Sequence, residues 1–101
     1  MELSMELDEF AGRSFFLAIR GEPDLTDPAE FGVTVYYTDP RSEEHVPVAR
    51  IDTDHGRTHL DKLFLEGEPK EWMDCTLWEA VEHLSRTHPE YARQYLETHG
   101  W

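Results

Sequence analysis

Between Arg50 and Lys62 this chain gathers acids, imidazoles and guanidiniums closely enough to do chemistry: Arg50, Asp52, Asp54, His55, Arg57, His59 and Asp61. His55-Gly56 reads as the centre of a β-hairpin turn, because glycine supplies the positive φ that tight turns need. Counting outward from that turn, Asp54 faces Arg57, Thr53 faces Thr58, Asp52 faces His59, Ile51 faces Leu60, Arg50 faces Asp61 and Ala49 faces Lys62. Alternate pairs share a face. One face then carries Asp54/Arg57, Asp52/His59 and Arg50/Asp61, while Ile51/Leu60 and Pro47/Phe64 fall on the other as core material. A register slipped by one residue would destroy this sorting of charge from apolar surface.

A carboxylate opposite an imidazole holds its tautomer and raises its basicity, which suits a general base. A nearby guanidinium can bind phosphate or stabilise developing negative charge. Asp52, His59 and Arg57 are therefore the catalytic candidates, with Arg50, His55 and Asp61 as substrate-binding candidates; together they suffice for metal-independent RNA cleavage. The plainer reading is a solvated ladder of opposite charges, each pair contributing roughly 0.2–1 kcal/mol. Val46, Val48, Leu63 and Leu65 continue the register onto the charged face, so that face is expected to be apolar at one end. Covered by a helix, loop or second copy, the apolar end would turn the charged end into the rim of a cleft.

His55 and His59 stand four apart, but they straddle a turn and a strand, and no cysteine lies near enough to complete a zinc site. No metal and no cofactor is expected. Trp72 and Trp78, around a strand-to-helix junction, read as core plugs.

The elements that must position these groups follow from periodicity. Arg13 to Arg20, with Phe15, Leu17 and Ile19 on one side, reads as a strand, and so does Phe31 to Thr38, with Phe31, Val33, Val35 and Tyr37 on one face. His45 to Asp52 and Arg57 to Leu65 supply the third and fourth strands. Two capping boxes, Thr76 with Glu79 and Thr87 with Glu90, predict two helices, the second with Pro89 in its first turn. The expected fold class is α+β: a four-stranded antiparallel β-meander over 13–65, then two C-terminal helices over 76–99 packed on one face. Residues 1–12 read as a loosely held acidic lead-in, and the whole of 1–101 as one domain.

The chain has 22 acidic residues against 9 basic ones, a formal net charge of -13, and only two of the basic residues are lysines. Disorder is excluded by an aromatic content of 12% spaced at structural periods. The balance suits a folded halophilic protein, since at molar salt the Debye length is about 3 Å and repulsion among carboxylates is screened. The lone Cys75 fits a reducing compartment, and neither a membrane span nor a signal peptide is expected, so the localisation read here is cytoplasmic. No basic run announces nucleic acid, although in molar salt net charge weighs little against a site built from local arginines and stacking aromatics.

Residues Ala49 to His59, then Pro69-Lys70-Glu71-Trp72 and Leu77-Trp78-Glu79-Ala80, resemble a family of uncharacterised haloarchaeal small proteins, over roughly the C-terminal half to two-thirds of the chain. More distantly, the Arg-x-Asp turn followed by histidine is similar to the TumE-like toxins of toxin–antitoxin systems. That resemblance implies action on RNA and nominates Asp52, His55, Arg57 and His59; Asp61 stands where those toxins carry a second histidine. Two functions are thus expected: a non-catalytic interaction module, as a homodimer or with a small antitoxin-like partner, or a metal-independent endoribonuclease.

Overall fold

The computed structural model describes residues 1–54, 57–62 and 71–99. The fold is α+β: a six-stranded antiparallel sheet in the order β1-β2-β3-β4-β5-β6, followed by one helix. The strands are β1 (Glu2–Glu6), β2 (Phe15–Glu22), β3 (Glu30–Thr38), β4 (His45–Asp54), β5 (Arg57–Lys62) and β6 (Glu71–Met73); the helix is α1 (Leu77–His99). Every strand pairs with its sequence neighbour, as an unbroken meander requires.

Alternation sorts the two faces. Phe15, Leu17 and Ile19 of β2, Phe31, Val33, Val35 and Tyr37 of β3, Ala49 and Ile51 of β4 and Leu60 of β5 are all buried. On them lies the apolar stripe of α1: Leu77, Ala80, Val81, Leu84, Tyr91 and Ala92. Phe15, Leu17, Val33, Val35, Ala49, Ile51 and Leu84 are each 0% exposed, so the core sits between α1 and the middle of the sheet. Among the described residues the other face carries no helix or further strand.

The predicted hairpin register is observed in full, from Asp54↔Arg57 to Ala49↔Lys62. Three differences from the expected fold have physical causes. First, residues expected as a loose lead-in form the edge strand β1, with Glu2 opposite Arg20 and Glu6 opposite Phe16. Its side chains are all exposed, so its sequence has no buried side to betray a strand. Second, β6 adds a strand too short to show a period.

Third, the two helices are one. Thr76 and Glu79 form the expected capping box, Thr76 N donating to Glu79 Oε1 at 2.9 Å and Glu79 N to Thr76 Oγ1 at 3.3 Å. These bonds, the backbone one foremost, hold the Glu79 carboxyl below its usual range. At the second box Thr87 Oγ1 donates instead to His83 O four residues back, and Glu90 engages Arg93. Pro89 lacks an N–H, so the carbonyl of Ser85 loses its helical donor. The His88 ring replaces it, Nδ1 lying 2.9 Å from Ser85 O, while Nε2 reaches Asp8 O at 3.1 Å. His88 is 3% exposed and carries the helix across its proline.

The face assigned to Val46 and Val48 also changes. Val35 faces Ala49, but Tyr36 faces Pro47, so β4 holds one extra residue at a β-bulge. Beyond the bulge the alternation is reversed: Val46 packs against the core, Pro47 turns outward and Val48 is 0% exposed. The apolar patch expected on the charged face is therefore not there for Val46 and Val48; Leu63, Leu65 and Phe64 lie outside the described residues. Trp72 and Trp78, expected as plugs, are 52% and 46% exposed. Trp78 Nε1 donates to Leu25 O at 2.9 Å, joining the start of α1 to the β2–β3 connection.

Tyr37, 4% exposed, packs edge-on against Tyr95 of α1 at 5.6 Å. Burial, with a hydrogen bond to Tyr95, pushes its phenol up from 10.0 to about 12. The folded state therefore holds a proton that the unfolded state releases above pH 10, so the stabilisation is complete below that pH and is lost as pH rises toward about 12. Urea unfolding as a function of pH is expected to show this alkaline loss in the native protein and a smaller one in Tyr37→Phe.

Candidate functional site: a groove on the open face of the sheet

The register of five pairings sets one row of residues across the whole open face: Glu2, Arg20, Gly32, Asp52, His59 and Trp72. The next row on the same face runs Ser4, Ala18, Thr34, Arg50, Asp61. Small side chains in the middle of these rows leave a depression of about 350 Å³, whose rim includes Arg20, Thr34, Arg50 and Asp52.

Gly32 has a specific part in it. A Cβ there would lie 3.2 Å from Arg20 Nη2, 3.7 Å from its Nε and 3.6 Å from Asp52 Cβ. The guanidinium of Arg20 thus lies over the bare Gly32 backbone. A glycine inside a strand marks such a close approach. Among the described residues no carboxylate comes within ion-pair distance of Arg20 or Arg50. Glu2, opposite Arg20 in register, is not close enough to pair with it.

Asp52 and His59 meet as their register predicts, His59 Nε2 standing 2.8 Å from Asp52 Oδ1. Asp52 Oδ1 nevertheless has no hydrogen-bond partner, and neither has His59 Nδ1, the ring nitrogen away from this contact, among the described residues. His59 is 2% exposed and lies edge-on to Trp72, ring centroids 5.6 Å apart. Asp52 is 23% exposed and faces the groove. The pair is thus layered, with the carboxylate outward and the imidazole behind it.

Of the sequence candidates, the fold brings Arg50, Asp52 and His59 together. Arg57 and Asp61 occupy their predicted register positions, but their side chains lie outside the described residues, as does His55 entirely. Among the described residues no group of three or more His, Cys, Asp or Glu side chains is placed to hold a metal. Arg20, Gly32, Ser4 and Thr34 were not singled out from sequence. Arg20 is marked only by lying on the polar side of β2, and bringing it opposite Asp52 takes the β2–β3 register, which the intervening loop hides.

A helix laid on one face of an antiparallel meander, with a polar groove on the other, defines the class. The chain belongs to the family described as a domain of unknown function, DUF7718, whose profile matches residues 2–101. No curated protein and no solved structure matches it. Among the described residues no helix is long and apolar enough to cross a membrane.

Removing one partner of a buried polar pair strands the other, at about 1–3 kcal/mol. Asp52→Leu and His59→Leu are each expected to destabilise by roughly this amount, and the double variant by clearly less than the sum of the two. Urea unfolding of the four proteins measures the coupling; strict additivity would show that the pair contributes nothing as a pair.

Proposed function

We propose that the protein is a non-catalytic interaction module of a salt-rich, haloarchaeal type of cytoplasm, working through the open face of its sheet on an anionic partner. The observation that carries this reading is the pair Arg20 and Arg50, set on the rim of one groove without a carboxylate in reach among the described residues. In a chain of net charge -13, this groove sets two guanidiniums on one rim with no ion-pair partner among the described residues. A planar guanidinium matches the two oxygens of a phosphate or carboxylate, and Ser4 and Thr34 add hydroxyl donors. Calorimetric titration with inorganic pyrophosphate tests it. The native protein is expected to bind, and the Arg20→Gln/Arg50→Gln protein to lose at least about tenfold in affinity, the scale of one charge-assisted bond. Equal affinity in both proteins, or no binding by the native one, would overturn the reading.

A second reading is favoured by the Asp52–His59 contact: a TumE-like, metal-independent endoribonuclease held in check by a small antitoxin-like partner. Here the pair takes the proton of a ribose 2′-hydroxyl. The 2′-oxygen attacks phosphorus, the bond to the 5′-oxygen breaks, the departing 5′-oxygen takes the proton back to leave as a hydroxyl, and a 2′,3′-cyclic phosphate is left. Arg20 and Arg50 would steady the charge that builds on the phosphoryl oxygens. Cleavage of RNA by the native protein, lowered about a hundredfold or more in His59→Ala and Asp52→Asn, is the expected result. Equal activity in all three proteins, or none in any, removes this reading and leaves the first standing.

A further inference from the structure

We infer that the anionic partner of the open face is a single-stranded nucleic acid, with a phosphate held by Arg20 and Arg50 and a base stacked on His45, the exposed end of a ring stack built on Tyr36. This rests on the groove being an anion site and adds the chemistry that distinguishes one anion from another. The added observation is aromatic. Two residues along the strands from Ala18 and Thr34, and so on the same face, stand Phe16 and Tyr36, paired across β2 and β3. Their rings are stacked, centroids 5.4 Å apart and planes 22° from parallel. His45 continues the stack on Tyr36 at 4.7 Å and 28°.

Three near-parallel rings on an open sheet, about 6.7 Å along the strands from the cationic groove, repeat the alternation of charge and π-face found in a single strand. Phe16 and Tyr36 are half-buried and His45 is exposed, so the stack presents a held π-surface at its His45 end. A further exposed aromatic, Trp72, ends the row that holds Arg20.

Other anions use less of this surface. An acidic peptide carries carboxylates for the arginines but no bases to stack on the rings. A duplex keeps its base faces inside and needs a broad cationic track, whereas single strands offer every base to an aromatic platform. Stacking is also the contribution that survives molar salt, where counterion release no longer drives binding.

The test is a titration of the native protein, Arg20→Gln/Arg50→Gln and Tyr36→Leu/His45→Ala with hexauridylate, tripolyphosphate, hexaglutamate and an RNA duplex, in low and in molar KCl. Circular dichroism checks that each variant is folded. His45→Ala alone, at an exposed position, serves if Tyr36→Leu disturbs the sheet. The native protein is expected to bind hexauridylate at least about tenfold more tightly than tripolyphosphate, the scale of one stacked base. The aromatic variant is expected to lose that advantage, and the arginine variant to lose both ligands. Hexauridylate binding no tighter than tripolyphosphate, undiminished hexauridylate binding by the aromatic variant, or tighter binding of hexaglutamate or duplex would each overturn the inference while leaving the anion site in place. Binding of none of the ligands would overturn both.

Discussion

The open face depends on the pairing of β4 with β3 on one side and β5 on the other. Because side chains alternate with a period of two, moving β4 by one residue would send Ile51 out and Asp52 into the core. Burial prevents this: Val33, Ile51 and Leu60 lie side by side beneath α1, the first two 0% exposed and Leu60 4%. Fully burying such a side chain is worth about 1.5–3 kcal/mol. An exposed charge pair contributes roughly 0.2–1 kcal/mol. The apolar side therefore sets the register, and the polar row follows from it.

The same constraint explains why the bulge sits where it does. Upstream of Ala49 the chain must still bury Val46 and Val48, yet Pro47 between them cannot donate to a ladder. One extra residue lets both valines turn inward and leaves proline outward, opposite Tyr36. The bulge thus costs β4 a stretch of regular pairing, and it clears the open face of the aliphatic side chains that a regular strand would have placed there. Beside Tyr36 on that face stand Phe16, Pro47 and His45, rings in place of branched chains.

Strands with one buried side were legible in the sequence, and so was the hairpin, because its turn is short enough for register to be counted directly. Legibility failed where no period or no short turn exists. β1 has no buried side, and β6 is only three residues long. The second capping box misled because Thr87 and Glu90 carry a capping pattern, while His88 supplies the donor that keeps the helix continuous through Pro89. Half of the candidate site was legible for the same reason: Arg50, Asp52 and His59 belong to one countable hairpin. Arg20 and Gly32 come from strands joined through a longer loop, and only the assembled sheet places them beside Asp52.

Layering of the Asp52–His59 pair bears on how the face can act. Burying an imidazole at 2% exposure behind a carboxylate leaves its other nitrogen without a partner among the described residues, an arrangement that packing alone does not favour. The Asp52 carboxylate lines the groove on one side of Gly32, and the Arg20 guanidinium lies over that glycine. With its Oδ1 against His59 Nε2, the carboxylate is not within ion-pair distance of Arg20, which has no such partner among the described residues.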